Sequence, residues 1–198
     1  MNRRLHLAIL AAAAALAACT GLTSVTSDVS SYGQWPAARK PGTYAFERLP
    51  SQQAHADDQA KLEDAARGAL EKAGFTPAAD GKNPDVTVQI GARVTRYSYV
   101  PWDDPFWWRG SYWHGRPWYG PRWGFGMSYT TTTQYEREVA VLLRDRQSGQ
   151  PLYESRASSE GNYASNPAVL AAMFEAALKD FPTPAISPRR VSVPVAQQ

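Results

Sequence analysis

The sequence predicts an α/β fold, a two-layer sandwich in the order β-α-β-β-β-α, whose mixed, antiparallel-rich sheet carries both helices on one face. Three patterns carry that expectation. Residues 85–100 and 129–146 alternate apolar and polar side chains, the period of strands covered on one side. Residues 57–73 and 167–181 instead repeat apolar side chains at helical spacing. Between the two alternating runs lies a long aromatic insert, 101–128, which has neither period.

The elements follow in order. Tyr44 and Phe46 share one side of the short β-like run 42–47, which Pro50 ends. Beyond Asp57 and Asp58, Leu62, Ala66, Ala69, Leu70 and Ala73 form one helical stripe. Gly74 stands where a left-handed C-cap belongs, and Phe75 is placed to fold back on the last turn. In the next strand Val86, Val88, Ile90, Ala92 and Val94 alternate with Thr87, Gln89, Arg93 and Thr95. Val139, Val141 and Leu143 repeat that alternation, and the turn Asp145-Arg146-Gln147-Ser148-Gly149 leads into residues 152–157 as a hairpin. Asn166 and Pro167 make an N-cap and N1 pair for a helix with Leu170, Met173, Phe174, Ala177, Leu178 and Phe181 on one stripe.

The N-terminus has the three parts of an export signal: Arg3 and Arg4, an apolar stretch from Leu5 to Ala18, and small residues before a cut. That stretch is too short to span a bilayer, which needs ~20 residues. Leu16-Ala17-Ala18-Cys19 reads as a lipoprotein processing site, with cleavage between Ala18 and Cys19. The chain's one cysteine sits where the lipid would be attached, and two acyl chains anchor stably where one does not. Bacterial lipoproteins, which this segment resembles, carry a diacylglyceryl thioether and an amide-linked acyl chain on that cysteine. By the same resemblance, Thr20 in place of aspartate implies an outer-membrane address; the expected location is the bacterial outer membrane, with the domain on the periplasmic side and surface exposure the open alternative.

Residues 19–39 are rich in Ser, Thr and Gly, which predicts a lipidated flexible tether spanning ~25 Å as a coil. Pro182, Pro184, Pro188 and Pro194 predict an extended tail over 183–198. The expected organisation is a signal peptide at 1–18, the tether, one domain over 40–182, and the tail.

Thr43-Tyr44-Ala45-Phe46, the helix ending in Gly74-Phe75, Pro84-Asp85-Val86-Thr87-Val88, and the hairpin from Leu142-Leu143-Arg144-Asp145 through Ser148-Gly149 to Leu152-Tyr153 occur in that order. In these motifs the chain resembles bacterial lipoproteins of domain-of-unknown-function family 4136, over roughly residues 40–182. Tyr153 stands where that family often has tryptophan. The family has no settled activity, so the resemblance implies a fold and a location.

Residues 97–129 hold thirteen aromatics, including six of the seven tryptophans. Trp108, Trp113, Trp118 and Trp123 recur every five residues, a period that fits neither strand nor helix, and Gly110, Gly115 and Gly120 follow the first three at two-residue distance. Prolines at 101, 105, 117 and 121 complete the signature of successive turns, each presenting an indole. Three uses remain open for Trp102, Trp107, Trp108, Trp113, Trp118, Trp123, Tyr112, Tyr119, Arg109 and Arg116. They form a self-packed loop with arginines stacked on rings, a membrane or protein contact surface, or a peptidoglycan or glycan site in which indoles stack on sugars.

Charge and motifs bound the chemistry. Removing Arg3 and Arg4 with the signal lowers the formal net charge from +3 to +1, and clustered basic residues of a nucleic-acid footprint are missing. Phosphate-cradling, dinucleotide and CxxC motifs are absent from the sequence, so no cofactor is expected beyond the covalent lipid. His55 beside Asp57 and Asp58 reads as a solvated helix start. Asp103, Asp104 and His114 lack the spacing of a metal site. Glu136 with Glu138, and Glu154 with Glu160, read as cross-strand ion-pair partners rather than a glycosidase pair. The expectation is a non-enzymatic envelope module, with a cell-wall-acting enzyme as the remote alternative. Metabolic labelling with an alkyne palmitate is expected to mark the protein and to leave the Cys19→Ser variant dark; equal incorporation in the two would reject acylation at that residue.

Overall fold

The computed structural model describes residues 24–79, 83–99 and 132–196. In chain order the elements are β1 (Ser24–Gly33), β2 (Thr43–Phe46), α1 (Pro50–Gln53), α2 (Ala56–Lys72), β3 (Thr76–Pro77), β4 (Val86–Tyr99), β5 (Thr132–Asp145), β6 (Pro151–Gly161), α3 (Pro167–Ala177) and β7 (Arg189–Pro194). The strands form one seven-stranded sheet in the order β3-β2-β4-β5-β6-β1-β7. It is parallel where β2 meets β3 and β4, and antiparallel at every other pairing. Mixed α/β with a mostly antiparallel sheet is thus the class the alternation predicts, with more strands than the sequence suggests.

One row of the register explains the core. Ala92 opposes Val139, Val139 opposes Ala157, and Ala157 opposes Val29. Opposed residues in antiparallel strands share a face, so Val86, Val88, Ile90, Val141, Leu143, Tyr153, Val25 and Val193 join Val139, Ala157 and Val29 on one buried surface. The longer helices cover it: α2 through Ala66, Ala69 and Leu70, α3 through Val169, Met173, Phe174 and Ala177. The other face stays polar, with ion pairs Arg93–Glu138 at 2.9 Å and Arg156–Glu154 at 3.1 Å.

Local signals act as their chemistry dictates. Gly74 takes φ +93°, its N–H donates to the Glu71 carbonyl, and the Phe75 N–H donates to the Leu70 carbonyl, which together make a Schellman cap. Phe75 folds back into the core and meets Trp35 and Phe181. Asn166 caps α3 by accepting from the Val169 N–H at 2.8 Å. In the β5–β6 turn, Asp145 Oδ1 accepts from the Gln147 and Ser148 N–H groups and the Ser148 hydroxyl, while Gly149 takes φ +71°.

Three expectations need correction. First, a flexible tether over 19–39 does not hold: residues 24–33 are β1, hydrogen-bonded to β6 on one side and β7 on the other. The inward positions read Val25, Ser27, Val29 and Ser31, all buried, so serine dilutes the alternation by half. The following loop is also tied down, since Trp35 donates from Nε1 to the Arg39 carbonyl at 2.8 Å. Second, the tail over 183–198 contains β7, with Val191 and Val193 buried. Its prolines flank the strand, and Pro194 sits on a sheet edge, where a missing N–H is tolerated. Third, Ala92 and Val94 lie on the apolar side of β4 but are exposed, Val94 at 42%, because the β4–β5 hairpin outruns the helices.

Two outcomes follow from this packing. Val29→Ala removes two methylene equivalents from a site 1% exposed, an expected loss of about 2 kcal/mol, whereas a residue in a tether would show none in a denaturant melt. The Asp145 carboxyl is held well below the usual range by the Ser148 amide, then by Arg39 and the Ser148 hydroxyl. A depressed folded pKa gives stability that is present above the unfolded value and lost on acidification. Melting temperature should therefore fall steeply below about pH 4, and less steeply in Asp145→Asn; identical slopes would refute this.

Candidate functional site

Cys19 and Ala18 lie outside the described residues, as do Trp102, Trp107, Trp108, Trp113, Trp118, Trp123, Tyr112, Tyr119, Arg109 and Arg116. What the structure places is where their segments join the fold. Taking the row Val29–Ala157–Val139–Ala92 as a common level, β1 reaches Ser24 five residues beyond it, and β4 reaches Tyr99 seven residues beyond it in the same direction. β4 therefore ends, at Tyr99, on the sheet end at which β1 begins. β5 returns from that end at Thr132, opposite Tyr99, and β7 finishes there with Pro194 opposite Ser24.

At a rise of ~3.3 Å per residue, the β4–β5 hairpin projects about 7 Å past the level of Ser24. Three strand spacings separate β4 from β1, about 14 Å across the sheet. Beside the hairpin, on the helix side, a groove of about 490 Å³ runs between the start of α2 and the start of α3. Leu62, Ala92, Pro167 and Leu170 line its apolar part; His55, Asp58 and Lys61 line its polar part. His55 is exposed at the N-cap of α2 and makes no side-chain capping bond.

The opposite end of the sheet is built from charges. Arg39 donates from Nη1 to Asp145 Oδ2 at 2.7 Å and from Nη2 to the Asp85 carbonyl at 2.9 Å. Asp85 Oδ2 accepts from the Thr43 N–H at 2.7 Å and the Thr43 hydroxyl at 2.8 Å, contacts that lower its pKa. These bonds pin the loop after β1 and the start of β4 onto the β5–β6 turn.

Paired carboxylates are separated by role. Glu138 meets Arg93 across the strands, as expected, and Glu154 meets its neighbour Arg156. Glu136 instead opposes Glu160, a like-charge pair. Arg137, between two surface glutamates in sequence, points to the other face and is 3% exposed. Parity with Val139 and Val141 could have shown this. Its Nε and Nη2 reach the Ser159 carbonyl and hydroxyl only at 3.5 and 3.4 Å, and Nη1 has no partner among the described residues. Tyr163 lies over it, 5.9 Å from ring centroid to Cζ, and burial lowers its pKa. Among the described residues, no three His, Cys, Asp or Glu side chains converge as a metal site, and no helix is long and apolar enough to cross a membrane.

A family model described as a domain of unknown function, DUF4136, matches residues 28–183. No curated protein sequence matches the chain. Among solved structures, a PDZ domain protein from Parabacteroides distasonis is similar in fold, with a TM-score of 0.51 and 14% identity. The match covers 92% of this chain but 42% of that one, so this chain spans less than half of its length. The PelC dodecamer from Paraburkholderia phytofirmans matches with a TM-score of 0.42 and 13% identity over 79% of this chain and 98% of that one.

A buried guanidinium without a carboxylate partner among the described residues is expected to oppose folding. Arg137→Met keeps the stem's packing and removes the charge, so the midpoint of urea unfolding should rise, by about 1 kcal/mol or more in stability. A fall would mean that the long bonds to Ser159 and the ring of Tyr163 outweigh desolvation.

Proposed function

The chain belongs to the domain-of-unknown-function family 4136, and from that membership we propose that it is a non-enzymatic binding module, anchored in the bacterial outer membrane by acylated Cys19 on the periplasmic side. Its aromatic insert is the contact surface, for the membrane or for an envelope protein. The observation that supports this best is the shared direction of the two segments. The chain carrying Cys19 enters the sheet at Ser24, and the strands that flank the insert end at Tyr99 and begin at Thr132, on the same side of the Val29–Ala92 row.

The composition of the insert suits that place. Tyrosine and tryptophan favour the membrane–water interface, and with arginine they dominate protein interaction hot spots. Among the described residues, the core is built from both helices and the inward strand face, and the insert follows in sequence from the β4–β5 hairpin. Binding energy can thus be altered there without altering the fold.

Deletion of residues 101–127, rejoining the β4–β5 hairpin through a short glycine turn, separates the readings. The acyl-free protein without these residues should keep its melting temperature and lose liposome flotation and crosslinking to envelope components. Unchanged association would reject the insert as the contact surface. A saturable change of tryptophan fluorescence with soluble peptidoglycan fragments would transfer the reading to glycan binding.

A further inference from the structure

We propose that the sheet end bearing Ser24, Val94, Tyr163 and Pro194 is the surface that this domain lays against a lipid bilayer, with the β5–β6 turn pointing away from it. The inference rests on the reading of Cys19 as acylated, and adds an orientation that acylation alone does not supply.

Chain length limits how far the domain can stand from the anchor. Only residues 20–23 lie between Cys19 and the first residue of β1, and five residue steps extend to at most about 18 Å. The β4–β5 hairpin projects about 7 Å beyond Ser24 toward the same side. Even with the linker fully stretched, the hairpin end would stand within about 11 Å of the anchored cysteine's level. A loose leash of twenty residues would have let the domain tumble. Four residues joined to an interior strand confine it, because β1 is held on both edges.

The two ends of the sheet differ in chemistry in the direction this requires. Val94 is 42% exposed and Tyr163 52% exposed at the proposed end, and the apolar part of the groove at Leu62, Ala92 and Leu170 opens beside them. Tyrosine carries an apolar ring and a polar hydroxyl, suiting the headgroup level. At the far end stand Arg39, Asp85, Asp145 and the exposed turn residues Arg146, Gln147 and Ser148, groups whose transfer toward hydrocarbon is unfavourable.

The test uses the full acylated protein in vesicles of phosphatidylethanolamine and phosphatidylglycerol containing a headgroup-nitroxide lipid. Since Cys19 would be blocked by its thioether, a fluorophore can be placed at one introduced cysteine: Val94→Cys, Tyr163→Cys or Gln147→Cys. Val94→Cys leaves the Tyr163–Arg137 stack untouched, and far-ultraviolet circular dichroism checks each fold. Loss of emission at positions 94 and 163, with none at 147, is the expected result. Equal loss at all three, or greater loss at 147, in protein that floats with the vesicles overturns the orientation while leaving the anchor standing. Protein that fails to float overturns the anchor and this inference with it.

Discussion

The pairing of residues 24–33 with β6 and β7 at once is the constraint from which the rest of the architecture follows. An interior strand satisfies its backbone on both edges, and each such bond contributes about 0.5–1.5 kcal/mol net. Through β1 the N-terminal chain becomes part of the core, with Val25 and Val29 under the helices. Because β1 also links β6 to β7, the C-terminal strand depends on it. The sheet would otherwise end at β6, exposing the inward side of that strand where Tyr153, Ser155 and Ala157 are buried.

Register then fixes direction. With β4, β5, β6, β1 and β7 antiparallel in succession, strand ends alternate, and the chain before β1 and the loop between β4 and β5 emerge on one side. The loops at Arg39, Asp85 and Asp145 gather on the other, where hydrogen bonds and charge hold them together. Away from that end, Arg48 makes a bidentate pair to buried Glu63 at 2.6 and 2.7 Å, tying the segment after β2 to α2. An end stapled by polar contacts and an end left with apolar side chains in solvent give the sandwich a polarity along its strands. That polarity is the structural basis of the proposed orientation.

Legibility in the sequence tracked the chemistry of each segment. α2 and α3 were readable because their stripes, the Gly74 cap and the Asn166-Pro167 start are encoded in adjacent residues. β4, β5 and β6 were readable where valine and leucine marked every second position. β1 was hidden by serines: Ser27 and Ser31 are small enough to sit inward, yet they look like linker composition. β7 was hidden by the prolines around it, which an edge position tolerates. Arg137 is masked in sequence by its neighbours Glu136 and Glu138, which suggest a charged surface, although its parity places it with Val139. Sequence could not show the overhang that exposes Val94, since it depends on where the helices stop. The aromatic insert was conspicuous by composition alone, and its position at one sheet end emerged only from the strand register.

The central claim is that the N-terminal segment is an integral strand that fixes how the domain stands relative to its anchor. Amide hydrogen exchange in the acylated protein tests this most directly. Amides of residues 25–32 whose N–H groups face β6 or β7 should exchange as slowly as those in the middle of β4, through global unfolding. Exchange of those same amides at the rate of a solvated coil, while β4 stays protected, would contradict the account.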